Sequence, residues 1–164
     1  DATDGLPLGL AAKLHLTVDR PEDFTPESQL SGKADAADSG RYHLRPFGRA
    51  MIEGYFGGAL AWALEAEGMA GMAAFAADEL VSLLGSGMRK RLKPVAASSW
   101  GADPWSRGAY SHALPGRAAD RLRLSEPLED RLFLAGEATS IPFYGTVHGA
   151  WAEGKRAAEQ ALAA

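Results

Sequence analysis

The stretch from residue 131 to residue 158 reads RLFLAGEATSIPFYGTVHGAWAEGKRAA and decides how the end of the chain folds. Its opening, RLFLA, predicts a short buried strand that runs into Gly136. An irregular segment with Pro142 and Gly145 follows, and from Thr146 onward apolar residues recur at helical spacing. The first amides of such a helix have no intrahelical partners and lie at the positive end of its dipole. The pattern therefore predicts a corner suited to an anionic or electron-rich group, with ordinary helix-on-sheet packing as the alternative.

Earlier segments indicate a small sheet. Residues 14–18 alternate apolar and polar side chains, which is the period of a half-buried strand. Residues 41–45 and 50–57 predict two more short strands around a Pro-Phe-Gly turn. Ser, Gly, Asp, Lys and Ala dominate residues 26–40, so we expect a surface loop there.

Helical character dominates residues 59–84, which are rich in Ala, Leu, Met and Glu at helical spacing. We expect Gly68 and Gly71 to divide this stretch into two helices and Gly85 to end the second one. The stripe of Met and Leu predicts core packing rather than a cofactor site. Residues 95–100, which follow a proline, predict a further short strand.

The composition is that of an ordinary globular chain and excludes several classes of chemistry. The 164 residues carry a net charge of -4, with 46% hydrophobic and 23% charged residues, which suits one domain or two small lobes. The absence of cysteine excludes disulfides, thiolate metal sites and cysteine nucleophiles, and it is consistent with a reducing cytoplasm. The sequence has no basic stripe that would predict nucleic-acid binding and no apolar run long enough to predict a membrane span. Neither His112 nor His148 has neighbours at the spacing of metal ligands.

The closing stretch resembles the C-terminal flavin motif of the flavin-containing amine oxidase family, which includes monoamine oxidase, polyamine oxidase and lysine-specific histone demethylase. That motif runs from a strand through Ala-Gly-Glu and a variable loop into a helix with Gly-Ala near its start and Gly-x-x-Ala-Ala further along. In this chain the matching residues are Phe133, Ala135, Gly136, Glu137, Gly145, Thr146, Val147, His148, Gly149, Ala150, Gly154, Ala157 and Ala158.

The resemblance implies that FAD is held by Gly136, Glu137, Thr146 and Val147. In the family the end of the strand lies along the diphosphate and ribityl chain, and the helix N-terminus points at the pyrimidine edge of the flavin. The helix dipole gives that placement a physical reason, because reduction puts negative charge there. Ala109 stands where some members carry a flavin-bonded cysteine, so the resemblance implies non-covalent FAD. Thr146 stands where monoamine oxidases place a second cage tyrosine, which leaves only half of an aromatic cage.

Two further blocks are similar to the same family. WGADPWSRGAYS, at residues 100–111, matches W-x-x-D-P-x-x-x-G-x-Y, which implies that Trp100 packs near the flavin and that Tyr110 lines the substrate pocket. The alternative for this block is an aromatic corner of the core. LPLGLAAK, at residues 6–13, matches G-x-x-x-K, in which the lysine holds a water against flavin N5. That role would fall to Lys13, whose alternative is an ordinary solvated lysine at a strand end.

The fold implied is α+β: a strand-rich substrate lobe with helices, joined to the closing strand and C-terminal helix of a Rossmann-like FAD-binding domain. We expect residues 1–100 to be the substrate portion and residues 101–164 the FAD portion. No G-x-G-x-x-G fingerprint occurs, so the N-terminal half of such an enzyme is expected to be absent. The chain is then a fragment, a proteolytic product or a partial gene product.

The activity implied is FAD-dependent oxidation of a small-molecule amine, with hydride leaving the carbon next to nitrogen for flavin N5. Lys13, Tyr110 and Trp100 are the residues expected to act at the reacting centre. With half the FAD contacts absent, the chain alone is expected to bind FAD poorly, to be inactive, and to expose a surface for the missing FAD domain or for self-association. Two alternatives stay open. One is a non-catalytic module. The other is a related FAD oxidoreductase of the desaturase or protoporphyrinogen oxidase type, which the block at residues 100–111 argues against.

Overall fold

The chain folds into two compact units. The computed structural model describes residues 1–33 and 36–164. One unit comprises Leu10–Gly108, and the other combines Asp1–Gly9 with Ala109–Ala164.

The unit of Leu10–Gly108 is built on one five-stranded sheet. Its strands are β1 (Ala11–Val18), β2 (Ser28–Ser31), β3 (Arg41–Leu44), β4 (Met51–Gly57) and β5 (Leu92–Ala97). They lie in the order β2-β3-β4-β1-β5, and every neighbouring pair is antiparallel. Such a sheet can bury one face and leave the other open to solvent.

The strands predicted around residues 14–18, 41–45 and 50–57 are confirmed as β1, β3 and β4. The loop predicted for residues 26–40 is wrong over β2, because this polar segment gains a full backbone ladder with β3 that its side chains do not announce. Residues 34 and 35 of that predicted loop lie outside the described residues.

Strand β5 begins earlier than predicted and contains Pro94 in its interior. It lies at an edge of the sheet, where a proline costs no ladder hydrogen bond on its solvent side. The register with β1 shifts between His15 and Leu16, whose partners are Ala96 and Pro94. The prediction of a strand at 95–100 is therefore correct only for its first half.

Helix α1 (Gly58–Leu84) covers the buried face of the sheet. Gly68 interrupts it with φ 73° and ψ -174°, a conformation open almost only to glycine, which confirms the predicted division at that residue. Gly71 stays helical, so the second predicted break is wrong. The predicted stop at Gly85 is confirmed, with φ 99°.

The core of this unit joins the sheet to α1. Tyr42 and Phe56, both 1% exposed, and Phe75 of α1 pack edge to face. Glu79 of α1 accepts hydrogen bonds from the Tyr42 hydroxyl at 2.6 Å and the Gly40 amide at 2.9 Å. Burial and this neighbouring carboxylate raise the pKa of Tyr42. The Met and Leu stripe of α1 is confirmed as core packing at Met72 and Leu80 but is wrong at Met69, Leu83 and Leu84, which are exposed.

The second unit contains α2 (Asp120–Ser125) and α3 (Val147–Ala163). The helix predicted from Thr146 is confirmed as α3, but the buried strand predicted at 131–135 is wrong. That segment makes a single bridge, between Leu128 and Leu132, and its leucines are exposed. A strand needs a neighbouring strand to satisfy its backbone N–H and C=O groups. Among the described residues this segment forms only the single bridge and no ladder of several pairs.

Helix α3 buries two small residues and leaves several large apolar side chains exposed. Gly149 and Ala157 are its buried residues. Val147, Trp151 and Leu162 are exposed by 88%, 72% and 89%. These three residues define the open stripe of α3. None of the helices in the described ranges is both long and apolar enough for a membrane span. The α+β class is confirmed, and the Rossmann-like assignment stays a prediction.

Candidate functional site

The N-terminus of α3 is capped and accessible. Thr146 is the N-cap residue in an extended conformation, and its hydroxyl accepts from the Gly149 amide at 3.1 Å. The same hydroxyl donates to the Phe143 carbonyl at 2.6 Å. The first bond of the helix runs from the Ala150 amide to the Thr146 carbonyl at 3.0 Å. The Val147 amide precedes that bond, and its residue is exposed, so the positive end of the helix dipole is reachable from outside.

Gly149 lets the helix approach the preceding turn closely. A Cβ atom there would lie 2.0 Å from the Phe143 carbonyl oxygen, so no other residue fits without a backbone shift. Gly154, which lies later in α3, differs from Gly149 because a Cβ atom there would meet nothing within 4 Å. Gly149 therefore serves the local turn, and Gly154 belongs to the open side of the helix.

Glu137 organises the loop in front of α3. Its two carboxylate oxygens accept from the Ser111 amide at 2.7 Å, the Ser111 hydroxyl at 2.9 Å and the Gly145 amide at 2.6 Å. The preceding Gly136 has φ 128°, which places the carboxylate-bearing turn and which glycine adopts without strain. The predicted residues Gly136, Glu137 and Thr146 are thus held around one short turn.

Tyr110 lies beside the same turn. A Cβ atom at Gly145 would lie 3.8 Å from the Tyr110 side chain, so the glycine and the ring are in close contact. The Tyr110 carbonyl accepts from the Gly9 amide at 2.9 Å, which pins its backbone, and the residue is 48% exposed. The structure therefore brings the predicted pocket residue Tyr110 next to the turn that carries the predicted FAD contacts.

Arg121 is a residue of this site that the sequence did not indicate. Its side chain is 3% exposed, and it donates to the Ser111 hydroxyl at 2.8 Å and the Ala138 carbonyl at 3.0 Å. Its guanidinium lies 4.4 Å from the Tyr144 ring centre and 4.0 Å from Glu137. Helix α2 has only six residues, which are too few turns for a periodic pattern, so no local pattern in the sequence indicates Arg121. A cavity of about 290 Å³ opens here, lined by His112, Ala113, Ala118, Arg121, Ile141 and Tyr144.

Trp100 and Lys13 belong to the other unit, Leu10–Gly108. Trp100, 52% exposed, opens a loop that closes where the Gly108 amide donates to the Trp100 carbonyl at 2.9 Å. Asp103 folds the loop by accepting from the Ser106 amide at 2.6 Å. The Ser106 backbone and side-chain donors lower the pKa of Asp103.

Lys13 lies on the open face of the sheet. Its backbone amide donates to the Ser98 hydroxyl at 2.8 Å, and its ammonium lies 3.7 Å from a Glu53 oxygen. A cavity of about 230 Å³ on this face is lined by Lys13, Gln29, Arg41, Tyr42, His43, Glu53, Gly54 and Tyr55. Residues 1–33 and 36–164 hold no group of three or more side chains arranged to bind a metal.

Comparison with known proteins identifies the family. The model of the flavin containing amine oxidoreductases matches residues 1–162. The chain is 40% identical over 89 residues to Polyamine oxidase 4 of Oryza sativa subsp. japonica, covering 50% of this chain and 18% of that protein. Polyamine oxidase 2 of Arabidopsis thaliana is 51% identical over 63 residues, covering 38% and 13%.

A third relative, Lysine-specific histone demethylase 1 homolog 2 of Arabidopsis thaliana, is 45% identical over 64 residues, covering 38% of this chain and 9% of that protein. The chain thus spans less than a fifth of the length of each of these relatives. A family model that matches nearly every residue is a far stronger statement than any one motif. The chain belongs to the flavin-containing amine oxidoreductase family.

Proposed function

We propose that this chain supplies one wall of the FAD site and part of the substrate pocket of an amine oxidase. The observation that carries the proposal is the capped, open N-terminus of α3, which follows a Gly-Glu turn in a chain of this family. In this proposal residues 1–100 form the substrate portion and residues 101–164 the FAD portion.

The residues around α3 fit an electron-rich cofactor edge. Thr146 satisfies the Gly149 amide and leaves the Val147 amide for an outside acceptor. At Gly136 a Cβ atom would meet nothing within 4 Å, so the backbone there is open to a ligand. Glu137 gives its carboxylate to the surrounding loop, so we assign it the task of shaping the turn as well as the proposed FAD contact. These features support FAD contacts at Gly136, Glu137, Thr146 and Val147.

When bound, the flavin supplies a hydride acceptor for the carbon next to the substrate nitrogen. The chain's own residues serve that reaction by positioning. Lys13 holds a water through its ammonium, and Tyr110 and Trp100 form aromatic walls that exclude bulk water and can hold a cation. The chain contains no cysteine, so the FAD is bound without a thioether bond.

The substrate is proposed to be an amine. The names of the relatives suggest two first substrates, a polyamine and a peptide with a methylated lysine. A cationic amine suits exposed aromatic faces, and Trp100 and Tyr110 are each about half exposed.

The open stripe of α3, formed by Val147, Trp151 and Leu162, supports the proposed need for a partner. Val147 and Trp151 are one helical turn apart and form a contiguous exposed apolar patch, whereas Leu162 lies about three turns further along α3. We assign the stripe to the N-terminal FAD-binding region that the family resemblance implies, with self-association of the chain as the alternative.

The experiment is to measure flavin absorbance of the 164-residue chain after addition of FAD and gel filtration. Thr146→Asp keeps a good N-cap residue but places a negative charge at the helix N-terminus, where it competes with an electron-rich ligand. Ala161→Asp adds the same charge at an exposed position near the other end of α3. We expect Thr146→Asp to lose at least tenfold in FAD affinity and Ala161→Asp to resemble the original chain.

Equal FAD affinity in the two variants would contradict the proposal that the N-terminus of α3 contacts FAD. A folded chain that retains no FAD agrees with the expectation that half the FAD contacts are absent, and the two variants are then compared in a longer protein that contains the chain. Absence of FAD from that protein would favour the non-catalytic module. Retained FAD calls for turnover assays with both amines, in which flavin bleaching under anaerobic conditions reports hydride transfer.

A further inference from the structure

The open face of the sheet carries a row of polar side chains whose order follows from strand register. His43 of β3 is paired with Glu53 of β4, and Glu53 is paired with His15 of β1. Gln29 of β2 extends the row through its pairing with His43. Directly opposed residues in antiparallel strands share a face and come within reach of one another. The register thus places one carboxylate between two imidazoles.

Glu53 is the side chain on which this row converges. Its oxygens lie 3.7 Å from the Lys13 ammonium, 3.7 Å from Nδ1 of His15 and 3.9 Å from Nδ1 of His43. His43 also has a second acidic neighbour, Glu27, at 2.7 Å from its Nε2. Glu53 is 24% exposed, whereas Lys13 is 51% exposed. The carboxylate is therefore the more buried member of the pair.

The 3.7 Å separation between Lys13 and Glu53 has a chemical consequence. A direct charge-assisted hydrogen bond would be about 2.7–2.9 Å long. At the observed separation the carboxylate attracts the ammonium without occupying its N–H groups in a short bond. A lysine held in this way keeps donors for a third group, such as a water molecule.

We infer that Glu53 is a positioning residue for Lys13. Its carboxylate restrains the lysine ammonium over the open face of the sheet and keeps the N–H groups available. His15 and His43 lie beside the same carboxylate at 3.7 Å and 3.9 Å, and the other nitrogen of His43 lies 2.7 Å from Glu27. The inference rests on the proposed function only where Lys13 is given its task near the flavin.

The first test needs no cofactor. The folded 164-residue chain is treated with a trace of an acetylating reagent, and the labelling rate of each lysine is measured by mass spectrometry. Only a neutral, unrestrained amine reacts, so Glu53→Gln is expected to raise the Lys13 rate about 1.5- to fivefold, the range for a partly exposed ion pair. Glu53→Asp keeps the charge and is expected to fall between the two.

Lys155, which lies 3.9 Å from Glu159 on α3, is the internal reference. Glu159→Gln is the matched control and is expected to leave the Lys13 rate unchanged. If Glu53→Gln disturbs the fold, all lysine rates rise together and Glu53→Asp becomes the deciding variant. A Lys13 rate that is the same in all three Glu53 forms, with Lys155 steady, overturns the inference.

The second test uses the FAD-loaded chain, or the longer protein if the chain alone retains none. Rates of flavin reduction by amine and of reoxidation by oxygen are compared for Glu53→Gln in the original and in a Lys13→Met background. If Glu53 acts through Lys13, Glu53→Gln slows a step in the original background and changes nothing after Lys13→Met. Equal effects in both backgrounds overturn the inference. Failure of FAD binding refutes the proposed function and leaves the labelling result standing.

Discussion

Replacing Glu137 with glutamine keeps the size of the side chain but removes its charge and one acceptor. In the structure one oxygen accepts from the Ser111 amide, and the other accepts from the Ser111 hydroxyl and the Gly145 amide. Each oxygen therefore faces an N–H donor. A glutamine must point its NH2 group at one of them in either orientation, which sets donor against donor.

The cost can be worked out from these contacts. The cheaper orientation keeps the glutamine oxygen on the amide of Ser111, which is only 2% exposed, and points the NH2 group at the exposed Gly145 amide. An unsatisfied buried donor costs about 1–3 kcal/mol, and water that reaches the Gly145 amide reduces that cost. Losing the negative charge 4.0 Å from the buried Arg121 adds a smaller amount, since Arg121 keeps its bonds to Ser111 and Ala138. We expect Glu137→Gln to lower the free energy of unfolding by about 1–3 kcal/mol. For a chain of this size Tm then falls by about 3–9 °C.

Thermal unfolding followed by circular dichroism measures this change, and the Gly145 amide signal in NMR reports the lost bond. Glu159→Gln is the matched control: Glu159 is 68% exposed and its pair with Lys155 is long, so we expect a change below about 0.5 kcal/mol. If Glu137→Gln unfolds within 1 °C of the original chain, the carboxylate does not organise the turn before α3 and the reasoning is refuted.

Three other perturbations test the rest of the structure. Tyr42→Phe should lower the free energy of unfolding by about 1–2 kcal/mol because it removes the hydrogen bond to Glu79. Burial raises the pKa of Tyr42, so the stabilisation by this residue is full below about pH 10 and decreases as pH rises further. Thermal unfolding of both chains from pH 8 to 11 would measure that decrease. Gly68→Ala should cost about 1–3 kcal/mol in urea unfolding because φ is 73°, whereas Gly87→Ala, with nothing within 4 Å, should be near neutral. The Ser106 donors lower the pKa of Asp103 because they favour its ionised form, so they stabilise the loop less as pH falls below about 4. Asp103→Asn should remove that pH dependence from the NMR signals of the loop.

Local patterns predicted the elements whose own side chains carry the signal. The alternation at 14–18 corresponds to β1, and the glycine at 68 corresponds to a real break in α1, because only glycine adopts that conformation freely. Thr146 was expected at the start of a helix and is its N-cap. The family resemblance went further than these patterns could, since it predicted a flavin site from residues that are unremarkable one at a time.

The wrong predictions concern segments whose structure depends on contacts with residues elsewhere in the chain. β2 is polar and becomes a strand because β3 lies beside it, while 131–135 is apolar and remains irregular because only a single bridge forms there. Arg121 becomes part of the candidate site only because folding buries it against Ser111 and Tyr144. No local pattern carries that information, because the energy of these contacts depends on residues far away in sequence.

The amino-acid sequence by itself indicated the family through its motifs, showed that cysteine is absent, and predicted the positions of β1, β3, β4 and α3. Propensity, periodicity and capping act over a few neighbouring residues, which is why these features are local. The tertiary structure alone decided which charges meet. It placed Glu53 beside Lys13 through strand register, and it turned Glu137 into the acceptor of the Ser111 and Gly145 donors. Electrostatic attraction and hydrogen bonding act over a few ångströms in space, so these contacts exist only once the chain has folded.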